Sequence, residues 1–138
     1  GFCPTHEAIE LAEIEAARAE HPGARVLAHP ECGDWVLKEA DFVGSTSQII
    51  AEAVASDATD FIIATVHGVI RELEAQTAGT GKRFWFPRTT PICPNMARVT
   101  AEKVLACLRD GTGEVSLPDD AVAAGSAHAL DLMLDYAK

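Results

Sequence analysis

The 138-residue sequence has few cysteines, few basic residues and no long apolar run, and each scarcity excludes a class of protein. Four cysteines are too few for a disulfide scaffold. No secretory signal is evident, so we expect a cytoplasmic protein with reduced thiols. Eleven Lys and Arg against 21 Asp and Glu give a net charge of −10, which repels nucleic-acid phosphates. The longest apolar run, residues 61–66, is far below the roughly 20 residues of a membrane span. We therefore expect no nucleic-acid or membrane partner.

What the chain does have is a 48% hydrophobic composition and regularly alternating helix and strand patterns. The strand patterns cover residues 25–29, 41–43, 61–64 and 83–86. The helix patterns cover residues 5–20, 33–40, 48–55, 68–75, 100–108 and 118–136. The alternation predicts an α/β fold: three α/β/α layers with a short parallel sheet of about four strands, plus C-terminal helices. The predicted domain boundary separates an α/β domain, residues 1–97, from helices over residues 98–138.

Polar side chains follow all four predicted strands. Ligands of parallel sheets bind beyond the carboxyl ends of the strands, so these side chains predict a site. They are His29, Glu31, Ser45, Thr46, Thr65 and Cys93.

Two of these pairs suit particular chemistry. His29 and Glu31 flank a stiff Pro30, and a glutamate beside a desolvated site can transfer protons near neutral pH; the alternative is a surface turn. Ser45 and Thr46 precede a helix, where hydroxyls and free N–H groups suit a carboxylate or phosphate. The alternative for this pair is an ordinary helix cap.

The cysteines are separated rather than paired in Cys-x-x-Cys motifs. Cys3 and Cys93 lie ninety residues apart, and thiolates are soft ligands for iron or zinc. Cys3 with His6 is also half of a conceivable zinc site. We expect Cys32 to be exposed near the site, and Cys107, on the apolar face of its helix, to be a core residue.

Five segments in order resemble the C-terminal part of the quinolinate synthase family. They are residues 1–3 (GFC), 26–31 (VLAHPE), 40–46 (ADFVGST), 61–65 (FIIAT) and 93–96 (CPNM), the last followed by TxEK at 100–103. The resemblance implies three similar α/β domains around a central cavity. It makes residues 1–97 the third domain, and residues 98–138 helices that pack back on the first domain.

The resemblance also implies an activity and a cofactor. Each domain of the family gives one cysteine to a 4Fe–4S cluster, and Cys3 and Cys93 match the second and third of these ligands. Glu31 matches the acid–base glutamate, His29 its neighbouring active-site histidine, and Ser45 and Thr46 the pair that binds a substrate carboxylate or phosphate. The implied reaction condenses iminoaspartate with dihydroxyacetone phosphate to quinolinate in NAD biosynthesis, with L-aspartate oxidase as the upstream enzyme.

The sequence departs from the family pattern in two respects. The first-domain cysteine and the N-terminal substrate-binding residues have no counterpart, so we expect a fragment that needs the remaining domains and is inactive alone. Val66 stands where the family usually has a glutamate. Two alternatives stay open: a non-catalytic module that binds a small anion at Ser45 and Thr46, and a small zinc protein that uses Cys3, His6 and Cys93, with or without His29.

Overall fold

The computed structural model describes residues 3–87, 91–116 and 119–137 of the chain. These residues form two compact units, Gly1–Arg98 and Val99–Lys138. Each unit is described by itself below.

The first unit contains a parallel four-stranded sheet. Its strands are β1 (Arg25–Ala28), β2 (Phe42–Val43), β3 (Asp60–Ala64) and β4 (Arg83–Trp85), in the spatial order β2-β1-β3-β4. Its α-helices are α1 (Pro4–Glu7), α2 (Leu11–Glu20), α3 (Asp34–Leu37), α4 (Thr46–Ala55) and α5 (Ile70–Gln76), with 3₁₀ turns at His67–Val69 and Met96–Arg98. The predicted α/β fold with a four-stranded parallel sheet is confirmed.

Both faces of the sheet are covered by apolar side chains, because successive residues of a strand point to opposite faces. One core contains Val26 and Ile62 from the sheet, together with Ile14 of α2. The other contains Leu27, Phe61 and Ile63 from the same two strands, packed with Ile49 and Leu73 of α4 and α5. Helices on both faces bury β1 and β3 completely after their first residues, Arg25 and Asp60.

The single helix predicted over residues 5–20 is wrong in one respect: the chain breaks it into α1 and α2. Pro4 begins α1, where its missing N–H costs nothing. Glu10 is the N-cap of α2, and its backbone N–H donates to the Glu13 carboxylate at 3.2 Å. Between the two helices Ile9 is completely buried. A local cap and a tertiary contact therefore override the continuous helical pattern.

The strand register places three strand ends at one edge of the sheet. Ala28 pairs with Val43 on one side and with Ala64 on the other. The pairing continues past the strands, since the Gly44 N–H donates to the Ala28 carbonyl at 3.0 Å and the His29 N–H to the Ala64 carbonyl at 3.1 Å. The residues that follow these three strands are thereby brought next to one another.

The second unit consists of α6 (Ala101–Asp110) and α7 (Asp120–Tyr136). Thr100 caps α6 by accepting the Lys103 N–H, and Gly111 ends it in the left-handed region at φ 64°. Val104, Leu105 and Leu108 of α6 are 46%, 52% and 80% exposed. Within the described part of the chain, no helix combines the length and apolar character needed to cross a bilayer.

The pairing of β3 with β4 is reinforced by an ion pair at the end of the sheet opposite to the carboxyl ends of the strands. Arg83 donates to both carboxylate oxygens of Asp60 at 2.8 Å, and the Trp85 indole N–H donates to Asp60 Oδ1 at 3.2 Å. The Arg83 guanidinium is the main reason that the pKa of the Asp60 carboxyl falls from 3.8 to about 2. The ionised form of Asp60 therefore favours the folded state.

We predict that Asp60→Asn makes the free energy of unfolding less sensitive to acid. A carboxyl whose pKa is lowered by folding adds stability above its unfolded pKa, and this stability is lost as the pH falls from about 4 to about 2. Urea titrations across that range should show a shallower loss in the variant than in the parent. Asp57→Asn, in the exposed loop before β3, is the matched control and should keep the parental slope.

Candidate active site

The site lies at the carboxyl edge of the sheet and begins with the segment that leads into α1. Cys3 directly precedes α1, Pro4 occupies the first helical position, and His6 is the buried residue of the helix. His6 is only 5% exposed although it lies in a four-residue helix. The short helix and the residue before it thus place an imidazole and a thiol at this edge of the sheet.

His6 is anchored to the end of β3. Its Nε2 lies 2.9 Å from the hydroxyl oxygen of Thr65, a fully buried residue that directly follows the strand. The two residues are 59 positions apart in the chain. This hydrogen bond joins the N-terminal segment to the centre of the sheet.

His29 stacks against His6. The two imidazole rings are almost parallel, at 8°, with centroids 4.2 Å apart. His29 takes its place directly after β1, where its backbone N–H continues the ladder to β3. The stack lies across the ends of the two central strands.

The Glu31 carboxylate faces both imidazoles. Its Oε2 lies 3.5 Å from His6 Nδ1 and 3.6 Å from His29 Nδ1, and its side chain is about one-third exposed, at 37%. Cys3, His6 and Glu31 each offer a ligand atom within 4.8 Å of the others, which makes them the group in the described residues that can hold a metal ion. These three residues combine a soft thiol, a borderline imidazole and a hard carboxylate, and the group is partly open to solvent.

Burial is the largest cause of the lowered pKa of His6, followed by the charge of His29, and both outweigh the opposing attraction of Glu31. The environment of His6 therefore favours the uncharged imidazole, which accepts at one nitrogen and donates at the other.

Cys93 lies in a turn that is attached to the same edge. The His67 N–H donates to the Pro91 carbonyl at 3.0 Å, and the Ala97 N–H donates to the Cys93 carbonyl at 2.9 Å. The backbone N–H groups of Met96 and then Asn95 lower the pKa of the Cys93 thiol.

The Thr5 side chain is close enough to Cys93 to lower the pKa of its thiol further. Thr5 lies two residues after Cys3, so the two cysteine segments predicted as metal ligands lie near each other. Both thiols are free and partly exposed. The structure therefore brings Cys3, His6, His29, Glu31, Thr65 and Cys93 to one edge.

Ser45 and Thr46 lie at the neighbouring strand end, after β2. The Ser45 hydroxyl accepts the Gln48 N–H at 3.4 Å, and the Gln48 amide oxygen accepts the Ser45 N–H at 2.8 Å, which is a capping box. A Cβ on Gly44 would lie 2.7 Å from the Phe42 ring, so the approach to α4 requires glycine there. The cap is observed, while anion binding by this pair stays a prediction.

Two site residues were underestimated from sequence, and two cysteines were placed wrongly. His6 was predicted only as half of a zinc site and Thr65 only as a strand-end residue, because their hydrogen bond spans 59 positions. Cys32, expected to be exposed, is 5% exposed and donates to the Ala64 carbonyl at 3.3 Å. Cys107, expected in a core, is exposed in its unit.

Comparison with known proteins decides the family. A family model described as quinolinate synthetase A protein matches residues 1–135. The chain belongs to the quinolinate synthase family. Its relatives include the quinolinate synthase of Chloroherpeton thalassium, 33% identical over the whole chain and 44% of the relative, and that of Caldicellulosiruptor saccharolyticus, 39% identical over 98% of the chain and 44% of the relative. Quinolinate synthase 2 of Methanosarcina acetivorans is 39% identical over 97% of the chain and 42% of the relative.

The chain spans about 44% of the length of the curated quinolinate synthases that it matches. Cys3, His6 and Glu31 are the candidate site that the described part of this chain builds. What the rest of the family's length adds to it is a matter for proposal.

We predict that Cys32 and Cys93 of this quinolinate synthase family member differ sharply in reactivity. Burial raises the pKa of the Cys32 thiol to about 11, whereas backbone N–H groups lower that of Cys93. Since the thiolate is the nucleophile, iodoacetamide at about pH 8 should alkylate Cys93 well before Cys32. Peptide mass spectrometry after timed quenching measures both rates, and urea should abolish the difference. Equal rates in the folded protein would contradict the described environments.

Proposed function

We propose that this chain forms the C-terminal part of a quinolinate synthase that condenses iminoaspartate with dihydroxyacetone phosphate. The products are quinolinate, one phosphate and two waters, so no external oxidant or reductant is needed. One observation carries the proposal: two separate segments converge at the carboxyl edge of the sheet, one with Cys3 and His6 and the other with His29 and Glu31. Family membership supports the same assignment.

The residues present fit a 4Fe–4S cluster as far as this chain extends. Cys3 and Cys93 are free thiols, and the Cys93 thiolate is stabilised by backbone N–H groups, as cluster thiolates are. These two residues would hold the cluster, and a third cysteine would come from the part of the family's length that the chain does not span. A cluster with one iron open to substrate supplies a Lewis acid for the loss of water.

Glu31 is the proposed acid–base residue, and His29 the neighbouring substrate-binding residue. The Glu31 carboxylate is open enough to reach a ligand and faces the Nδ1 atoms of both imidazoles. A proton taken from substrate resides on Glu31 Oε2 and can be returned from there to a departing hydroxyl group.

Ser45 and Thr46 are the proposed site for a carboxylate or phosphate of substrate. The ten-residue helix α4 begins at Thr46, and its first N–H groups and its dipole favour an anion. The β1–β2 register supports this role, because it places the start of α4 beside the strand end that carries His29 and Glu31.

We predict that Cys93→Ser abolishes cluster assembly in the full-length protein. A serine hydroxyl is a poor ligand for iron–sulfur clusters, and two remaining thiolates hold the cluster weakly. Anaerobic reconstitution followed by the absorbance spectrum and by iron and sulfide counts checks this. Cys107→Ser, which removes an exposed thiol of the second unit, is the matched control and should assemble the parental cluster.

The same reconstitution separates the alternatives for the parent protein. A colourless protein that binds zinc tightly would favour a small zinc protein that uses Cys3, His6 and Cys93, with or without His29. A protein that binds neither metal, but does bind a small anion at Ser45 and Thr46, would favour the non-catalytic module. Either result would overturn the proposed function.

We predict that Glu31→Gln preserves the cluster but lowers turnover by about a hundredfold or more, because the amide cannot exchange a proton. Quinolinate formation by the full-length protein is measured by chromatography, alongside iron content. Glu74→Gln, on the exposed face of α5, should retain full turnover. Parental turnover in Glu31→Gln would remove the acid–base assignment while leaving the family assignment intact.

A further inference from the structure

His6 carries a buried nitrogen that no other group of the described residues satisfies. Its Nδ1 is the buried side-chain nitrogen or oxygen without a hydrogen-bond partner in that part of the chain. The side chain of His6 is only 7% exposed, and the facing oxygen, Glu31 Oε2, lies 3.5 Å away, farther than in an ordinary hydrogen bond. Because a buried polar atom without a partner is costly, this nitrogen indicates a ligand that the polypeptide does not itself supply.

Two further donor atoms lie beside His6. The sulfur of Cys3, one ring nitrogen of His6 and a carboxylate oxygen of Glu31 all lie within 4.8 Å of one another. Cys3 and His6 belong to the same helical turn, in which the His6 N–H donates to the Cys3 carbonyl at 3.1 Å. Glu31 follows β1 on a separate segment. The fold therefore brings together three potential metal ligands that the chain holds 25 positions or more apart on its two segments.

The His6 ring is held in place from its other side. Its Nε2 lies 2.9 Å from the hydroxyl oxygen of the fully buried Thr65, which leaves Nδ1 as the available nitrogen. Histidines that bind a metal through one nitrogen almost always form a hydrogen bond through the other, and this bond fixes the orientation of the ring. The stacked ring of His29, with its centroid 4.2 Å away, restrains His6 further. Both neighbours keep His6 Nδ1 facing Glu31.

The three donors suit a single divalent transition-metal ion, and Zn²⁺ in particular. Zinc binds thiolate, imidazole and carboxylate at about 2.0–2.3 Å, so a tetrahedral site separates its ligand atoms by roughly 3.5 Å. His6 Nδ1 and Glu31 Oε2 already have this separation, at 3.5 Å. The side chains of Cys3 and Glu31 are partly exposed and can rotate to close the rest of the site. Sulfur and nitrogen donors disfavour Mg²⁺ and Ca²⁺, which prefer oxygen.

The fourth position of such a site is open to a water molecule or a small ligand. His29 does not fill it through Nδ1, because that nitrogen accepts the backbone N–H of Glu31 at 3.2 Å. Three protein ligands and one open position are typical of zinc sites that are not purely structural. A thiolate and a carboxylate also supply two negative charges, which balance the charge of the ion.

We propose that, in the cluster-free protein, Cys3 Sγ, His6 Nδ1 and a carboxylate oxygen of Glu31 bind one Zn²⁺ ion. This site differs from the proposed cluster site, to which Cys93 contributes, but it shares Cys3 with that site. Zinc and the cluster therefore exclude each other, because a thiolate bound to an ion between His6 and Glu31 is not available to the cluster. The exclusion rests on the proposed function, whereas the zinc site itself does not.

Cobalt is the spectroscopic probe for this site, because Co²⁺ accepts the same donor types as Zn²⁺ and is coloured. The full-length protein is stripped of metal with a chelator and titrated anaerobically with Co²⁺. The expected result is one equivalent bound, with a thiolate-to-cobalt absorption band and the visible bands of tetrahedral Co²⁺. One equivalent of Zn²⁺ should remove these bands. Absence of stoichiometric binding, or binding without the thiolate band, would overturn the proposal.

Variants at partly exposed positions test the ligands without disturbing the core. Cys3→Ser should lose the thiolate band. Glu31→Gln should weaken Zn²⁺ binding at least tenfold in competition with a chromophoric chelator, since even an outer-shell partner of a metal site is worth that much. Cys93→Ser is the matched control and should keep the parental spectrum and affinity. Loss of cobalt binding in Cys93→Ser, or parental zinc affinity in Glu31→Gln, would overturn the proposed ligand set.

Anaerobic reconstitution tests the exclusion of zinc and cluster. One equivalent of Zn²⁺, added before iron and sulfide, should block most cluster assembly in the parent protein, and a chelator should restore it. The same zinc should block assembly less in Glu31→Gln, which keeps the cluster cysteines. A full yield of cluster with zinc still bound would overturn the exclusion. If the zinc-free parent assembles no cluster, the proposed function fails, while the cobalt titration still decides whether the zinc site exists.

Discussion

The parallel register of β1 between β2 and β3 is the constraint on which the rest of the structure depends. Ala28 pairs with Val43 and Ala64, and backbone hydrogen bonds carry the ladder one residue further to Gly44 and His29. A slip of one residue would turn the apolar side chains of β1 from one core to the other and displace His29 from the end of β3. The two hydrophobic cores that stabilise the fold therefore also set the position of the site.

The site itself is completed by a second, more local device, the short helix α1. The helix has too few residues to be stable in isolation and is held by what it contacts. Burial of Ile9 and the His6–Thr65 hydrogen bond fasten it to the sheet edge, where Thr5 lies close to Cys93. A segment of low intrinsic stability thus contributes a thiol and an imidazole to the site. The geometry of the site therefore depends on how α1 packs.

Much of the fold and part of the site were predictable because they rest on local patterns. The apolar strand over 61–64 and the turn residues around it predict β3 within one residue, and polar residues after each strand predict the functional edge. The break between α1 and α2 was not predictable from periodicity, because a buried Ile9 and a capping Glu10 decide it. The burial of Cys32 was not predictable either, because its hydrogen-bond partner is the Ala64 carbonyl, 32 positions away in the chain.

By itself the sequence determined the α/β class, the order of strands and helices, the acidic charge and the family motifs, because each follows from composition or from residues close together in the chain. Only the tertiary structure decided that His6 stacks on His29, that Thr65 anchors His6 and that Glu31 faces both rings. These contacts join positions up to 59 residues apart. Their formation depends on strand register and helix packing, which act over distances that no local pattern encodes.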